Sequence, residues 1–441
     1  MQQQLSQRFI AHSQIDYKQH QRDAVEWALR NENAQEPLDG VRGGFIADEM
    51  GLGKTISVIA LIVCNFANYK KTLIVLPNIL IQQWHAEILR TTGHTPLIYH
   101  GSAKRKNDVI ALSKATIVLT TYSAIATRTL KGVVQDNILH QVSWDRVVFD
   151  EAHHLRNKNN RFHGAKTLRA HIRWFISGTP IQNNKRDFYN LCSVLGFTAS
   201  FCRDPVNTDN LFARHVLRRT KAQVGIQFVP LEFSQNVVPW TDEREKQMAL
   251  TIHDKLASSS EKLALILKAR QSCILPKILG FDFKSSKLDA VLQSILSNRH
   301  NGNGKLVFCQ FTQEIDFIFR TLRENGLSVA VFDGRLSFKQ REAVLNSDNQ
   351  VLILQIQTGS EGLNLQHKFS EVYFVSPHWN PSVEDQAVAR CHRIGQTKPV
   401  DVYRYNMQPF VTEEKDTIEH QIILTQTNKK HLSFDHFYQH C

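Results

Sequence analysis

Continuous apolar runs, each followed by a helix-like pattern, recur along this 441-residue chain and restrict its fold more than any other feature. Gly43 to Ala47, Thr72 to Leu76, Ala115 to Thr121, Arg146 to Asp150 and Arg173 to Gly178 read as strands in the first half. Lys305 to Cys309, Ser328 to Phe332, Val351 to Gln355 and Glu371 to Val375 read as strands in the second. Runs that are apolar throughout, and not only at alternate positions, fit strands buried on both faces. Helical patterns between them fit the crossovers of a parallel sheet. From about Val229 to Gly280 the pattern changes, and Thr241 to Arg270 carries Leu, Ile and Met at helical spacing with no strand-like run. The expected architecture is α/β: two parallel-sheet lobes joined by a helical connector. Residues 1–228 form the first lobe, 229–283 the connector, and 284–441 a second lobe ending in a helix.

Composition narrows the class. Hydrophobic residues at 42% and charged residues at 21% are ordinary for a globular chain and exclude wholesale disorder. The longest apolar stretch, Ile56 to Cys64, is far shorter than the ~20 residues of a membrane span. The start, MQQQLSQRFIAHSQ, lacks the apolar core of a secretory leader, so a soluble protein in a reducing compartment is expected. Seven cysteines without a CxxC pair argue against zinc ribbons, RING domains and redox dithiols, and no structural metal is expected. The net charge of +12 favours a polyanionic partner. Its densest spot is only Lys104-Arg105-Lys106, so the charge is spread over a folded surface.

Three segments carry chemistry. The first is Asp48-Glu49-Met50-Gly51-Leu52-Gly53-Lys54-Thr55, between a strand and an apolar helix. A phosphate-binding turn needs small residues so that backbone N–H groups close on the phosphates, a Lys for the β/γ-phosphates and a hydroxyl for Mg²⁺. Asp48 stands where the usual pattern has its first glycine. The second is Val147 to His153, where a strand ends in Asp150-Glu151. Asp150 is expected to hold Mg²⁺ through water and Glu151 to orient the attacking water. Alone, such a pair is an ordinary loop start; with the glycine turn upstream, nucleotide hydrolysis is favoured. The third is Gln386 to Gln396, in which Arg390 and Arg393, three apart, are expected on one helical face. Guanidinium groups brought onto a γ-phosphate accelerate its transfer by 10³–10⁵, about 4–7 kcal/mol. Without the first two segments, two solvated arginines on a surface helix would be the simpler reading.

These strings, in this order, resemble the Swi/Snf-type branch of the superfamily-two helicases, and the resemblance runs most of the chain. His20-Gln21 is similar to the family's adenine-reading motif. LIVLPNILIQQW (Leu73 to Trp84) and VLTTY (Val118 to Tyr122) resemble its DNA-contacting segments. DEAHHLRN (Asp150 to Asn157), SGTPIQN (Ser177 to Asn183) and Leu217 to Lys221 complete its first lobe. FCQFT (Phe308 to Thr312), DGRLS (Asp333 to Ser337), GSEGLNLQ (Gly359 to Gln366), HWNP (His378 to Pro381) and HRIGQ (His392 to Gln396) follow in family order. Ala389 replaces a common Asp and Ser360 one of a glycine pair; neither removes a group that touches phosphate. So compact a motor, with no room for accessory domains, is similar to the global transactivator proteins of insect baculoviruses.

The resemblance implies two RecA-like lobes with ATP in a cleft between them. It implies ATP and Mg²⁺ held by Gln21, the turn from Asp48 to Thr55, and Asp150, with Lys54, Asp150, Glu151, Arg390 and Arg393 catalytic. It gives DNA contacts to Thr120, Thr121 and Thr358, and coupling between sites to Ser177 and Thr179. Trp84 and Trp379 read as packing residues. The implied activity is that of a monomeric, double-stranded-DNA-stimulated ATPase in the nucleus, remodelling DNA–protein complexes with chromatin or transcription proteins as partners. A DEAH-type RNA helicase, from the letters of Asp150 to His153, and an inactive DNA-binding scaffold are the alternatives.

Overall fold

The computed structural model describes residues 17–101, 108–130, 133–135, 137–178, 185–258, 262–359, 363–410 and 416–431. The chain divides into two compact units between Ile226 and Gln227. The strands of the first unit are β1 (Gly43–Ile46), β2 (Thr72–Leu76), β3 (Leu97–Tyr99), β4 (Ile117–Thr121), β5 (Arg128–Leu130), β6 (Val133–Gln135), β7 (Trp144–Asp150), β8 (Ala170–Ile176) and β9 (Val216–Leu217). Seven of them form one sheet in the order β3-β4-β2-β7-β8-β1-β9, while β5 and β6 make a separate hairpin. Every pairing in the large sheet is parallel. All its C-terminal strand ends therefore lie along one rim, where α/β sheets place their ligands.

Both faces of this sheet are buried, as the unbroken apolar runs require. Phe45, Leu73, Val75, Val118, Val147, Phe149 and Phe175 point to one side, against helices Asn160–Thr167, Lys185–Leu195 and Pro205–His215. Ile46, Ile74, Leu76, Leu119, Val148, Trp174 and Ile176 point to the other, against helices Gln19–Glu32, Lys54–Cys64 and Ile81–Thr92. Alternation about the pleat divides the run into two cores. Phe175 stacks between Phe45 and Phe149, with ring centroids 5.0 and 5.2 Å away.

The second unit has a six-stranded parallel sheet in the order β10-β15-β14-β11-β13-β12. Its strands are β10 (Leu231–Val238), β11 (Gly304–Cys309), β12 (Val329–Phe332), β13 (Val351–Gln355), β14 (Phe369–Phe374) and β15 (Val400–Met407). The segment expected as a separate connector is helical, with helices Glu243–Ser258 and Lys262–Ser272, but it belongs to this unit. Ala269, Cys273, Ile274 and Leu275 are buried with Val291, Ile318 and Tyr373 in a single core. The expected connector also opens on β10, which the apolar-run criterion misses because most of this edge strand faces solvent. The six described cysteines are buried free thiols. Among the described residues no helix is long and apolar enough to cross a membrane.

Candidate nucleotide site

The glycine turn leaves the end of β1 and enters helix Lys54–Cys64. Gly51 and Gly53 take φ values of 92° and 79°, left-handed backbone that side chains oppose. At Gly53 the turn also passes close beneath Gln21: a Cβ there would stand 2.3 Å from Gln21 Nε2. Helix Gln19–Glu32 is fastened to the turn at this point, because His20 Nε2 and Gln21 Nε2 both reach the carbonyl of Leu52, at 2.9 and 3.3 Å.

A second clamp comes from the segment after β9. Ala47 N donates to Leu217 O at 2.8 Å and Glu49 N to Arg219 O at 2.9 Å. Arg218 Nη1 donates to Ala47 O at 2.7 Å. Arg219 grips the Asp48 carboxylate with two N–H groups, at 3.0 and 2.5 Å, and bonds His20 O at 2.6 Å. Glu49 Oε2 accepts from Lys221 N at 2.8 Å. The carboxylates of Asp48 and Glu49 are thus committed to the exit segment and shape the turn, leaving its backbone as the part of these two residues that faces the expected nucleotide role.

Lys54 Nζ lies over the turn, donating to Asp48 O at 2.7 Å and Glu49 O at 3.3 Å. Burial lowers its pKa to about 8, against the pull of Glu151, Asp48 and Asp150. Gly178, in the segment after β8, crosses beside it, where a Cβ would stand 3.5 Å from Nζ and 2.7 Å from Met50 Cγ. Thr55 opens the helix one residue on. Asp150 ends β7 with its side chain buried. Oδ1 accepts from Glu151 N at 2.9 Å, and Oδ2 accepts from Trp84 Nε1 at 2.7 Å. Desolvation, then the neighbouring Glu151, raise its pKa to about 7. Glu151 is left-handed (φ 50°, ψ 53°), uncommon for a residue with a Cβ, and its Oε2 lies 3.4 Å from His153 Nδ1. Lys54, Asp150 and Glu151 thus influence one another electrostatically at the C-terminal rim of the sheet.

Other expectations fare differently. Ser177 is buried beside this rim. Thr179 lies outside the described residues. Thr120 is fully buried on β4 and donates its hydroxyl to Tyr99 O at 2.9 Å, so that hydroxyl is spent inside the sheet and not offered to a DNA phosphate. Thr121, at the strand end, reaches Ser123 Oγ at 3.0 Å. Thr358 stands in the short helix Ile356–Gly359, its side chain outside the described part. In the second unit, helix Pro381–Val388 stops before the arginines, which sit in the turns that follow. Arg390 Nε bonds back to Gln386 O at 2.9 Å while Arg390 N tightens onto Ala387 O at 3.1 Å, closing the helix. Arg393 Nη1 donates to Asn364 Oδ1. The shared helical face expected of Arg390 and Arg393 is therefore replaced by a turn, with Arg390 buried and Arg393 half-buried.

Residues 20–208 match the SNF2-related domain, and residues 286–395 match the helicase conserved C-terminal domain. The chain belongs to the SNF2-related, helicase-like ATPases. It is 29% identical to a "Probable global transactivator" of Orgyia pseudotsugata multicapsid polyhedrosis virus, over 93% of this chain and 89% of that protein. It is also 29% identical to an uncharacterized ATP-dependent helicase of Mycoplasma genitalium, over 94% of this chain but only 42% of that protein's length. A solved Sulfolobus solfataricus SWI2/SNF2 ATPase core in complex with dsDNA shares 23% identity, covering 96% of this chain and 93% of that one, at a TM-score of 0.43. Membership in this family removes the DEAH-type RNA helicase reading, which rested on the letters of Asp150 to His153.

The donor set of this SNF2-related site fits a nucleotide with a hard divalent cation. It offers one ammonium, one hydroxyl and a carboxylate around a turn whose left-handed positions favour glycine. Among the described residues no group of three or more His, Cys, Asp or Glu could hold a metal by itself. Mg²⁺ binds through one or two carboxylates together with substrate phosphates and water, and Asp150 supplies such a carboxylate at the rim. Sequence reasoning missed the parts played by Arg219, Trp84 and Tyr122, whose hydroxyl donates to Asp150 O at 2.6 Å. All three lie inside quoted motifs, but their partners are set by the fold.

Proposed function

We propose that the protein is an ATP-driven translocase on double-stranded DNA that remodels DNA–protein complexes and acts in the nucleus in transcription. The convergence of Lys54, Asp150 and Glu151 on the rim beside a left-handed glycine turn carries this reading. Lys54 and Thr55 would hold the phosphates and Mg²⁺, Asp150 would serve the cation, and Glu151 would orient the attacking water. Arg390 and Arg393 are assigned to the γ-phosphate from their motif alone. Sequence-independent binding to a phosphate backbone is supported by the net charge of +12. A role in transcription is supported by the name of the viral relative.

Steady-state ATP hydrolysis, measured with duplex DNA, with RNA and with neither, tests the proposal. Duplex DNA is expected to raise turnover at least tenfold. Lys54→Ala is expected to abolish turnover, and Glu151→Gln to retain ATP binding while turnover falls by 10² or more. Stimulation by RNA alone overturns the DNA assignment. Undiminished turnover in either variant overturns the catalytic one.

A further inference from the structure

We propose that Trp84, which the sequence presents as a core residue, is a positioning residue for Asp150 and through it sets how tightly the site holds its divalent cation. This rests on the reading above that Asp150 serves the nucleotide's Mg²⁺. Trp84 lies in helix Ile81–Thr92, which follows β2 after the short turn Asn78–Leu80, and is 1% exposed. Its ring packs in the core shared with Ile81, Ile88 and Ile59. Packing accounts for the ring carbons but not for the indole nitrogen, which donates to Asp150 Oδ2 at 2.7 Å across 66 residues of sequence.

The geometry around Asp150 gives that bond a purpose. Its backbone carbonyl accepts from Tyr122 Oη at 2.6 Å, Oδ1 accepts from Glu151 N at 2.9 Å, and Oδ2 accepts from Trp84. Each carboxylate oxygen has two lone pairs, so one donor on each fixes the rotation of the carboxylate and leaves capacity on both. An indole N–H donates and cannot accept, so Trp84 cannot compete for the cation or take up a proton. Removing a hydrogen-bond partner of a metal-holding side chain commonly weakens the metal 10–100-fold. The left-handed turn at Glu151 follows directly, so the same bond fixes where the next carboxylate begins.

Trp84→Phe in the full chain keeps an aromatic ring and deletes the donor. Mn²⁺ titrated in the presence of a non-hydrolysable ATP analogue, and followed by electron paramagnetic resonance, is expected to bind about tenfold more weakly. Half-saturating Mg²⁺ for hydrolysis is expected to rise by a similar factor, while metal-free binding of the analogue stays unchanged. A purely structural Trp84 predicts a lower melting temperature with Mn²⁺ affinity unchanged, and that result overturns the proposal. Should Trp84→Phe fail to fold, ¹⁵N-indole spectra of the wild-type protein, with its six tryptophans, provide a second test. One indole N–H signal is expected to move both on adding Mg²⁺ with the analogue and in Asp150→Asn. If no indole signal moves in both experiments, the bond is refuted. Loss of turnover in Lys54→Ala with Mn²⁺ affinity unaltered in Trp84→Phe refutes the positioning role alone. Undiminished turnover in Lys54→Ala refutes the parent reading.

Discussion

Gly53 shows how narrowly single residues constrain the site. Any side chain there must adopt φ 79° and enter the space of Gln21 Nε2. Gly53→Ala is expected to cost about 1–3 kcal/mol in backbone strain and to weaken ATP binding at least tenfold, measured by calorimetry and thermal melting. Adding Gln21→Ala removes the collision with Nε2 but not the strain, so the double variant should recover only part of the loss. At this scale the positions of Lys54, Thr55, Asp150 and Glu151 were legible because the pattern is local: a turn, the helix it opens, and a carboxylate pair at a strand end. The partners of Asp48 and Asp150 were not. Arg219 is 171 residues from Asp48 and Trp84 is 66 from Asp150, and nothing in either neighbourhood announces the other. Thr120 was misread for a related reason: a hydroxyl in a DNA-type motif does not reveal that the adjacent strand has already claimed it.

Among the elements, helix Gln19–Glu32 depends on charge buried away from the site. Glu32 is fully buried at its end and accepts from Arg146 Nε and Nη2, at 2.6 and 2.5 Å, from Trp174 Nε1 at 2.8 Å and from Asn65 Nδ2 at 2.7 Å. Glu32→Ala leaves the guanidinium of Arg146 buried without its counter-ion, an arrangement that typically costs 3–5 kcal/mol. A fall of roughly 6–20 °C in melting temperature is expected for a unit of this size. Glu32→Met with Arg146→Met should regain much of it, because no charge is then stranded. The nine apolar runs all became strands: burial on both faces leaves an unmistakable composition in most of them, and the edge strand β12, half-buried along most of its length, is apolar throughout. β10 and β15 escaped notice because polar residues interrupt them: β10 is an edge strand, mostly exposed and carrying Ser234-Gln235-Asn236 in a row, and β15, beside it, is buried at alternate positions along its first half. The helix assigned to the arginines ended early because Arg390 Nε competes for a carbonyl one turn back, an event invisible to spacing rules.

For the molecule as a whole, acidity and salt should act on different halves of its behaviour. In the second unit Glu314 is fully buried and accepts from Gln310 N at 2.9 Å and Phe311 N at 3.0 Å. Desolvation raises its pKa to about 7 from 4.5, against the backbone bonds and the charges of Lys287 and Arg270. A carboxyl raised in the folded state stabilises through its protonated form. That contribution, of order 3 kcal/mol, is complete below about pH 4.5 and is lost as pH rises through 7. Thermal melting between pH 5 and 8 should therefore show stability falling toward pH 8, with a shallower fall in Glu314→Gln. DNA stimulation of hydrolysis, resting on phosphate contacts, should instead decline steeply between 50 and 200 mM salt, the range over which counterion release weakens such binding. Helix Gln19–Glu32 joins one more pair of behaviours. Its 14 residues, about 21 Å long, are moored to the glycine turn at the Gln21 end and, at the Glu32 end, to Arg146 near the opposite margin of the sheet. A rod tied at both ends relays tension: occupancy at one margin should slow amide deuterium uptake around Asn65 and Thr72 at the other, where no nucleotide reaches.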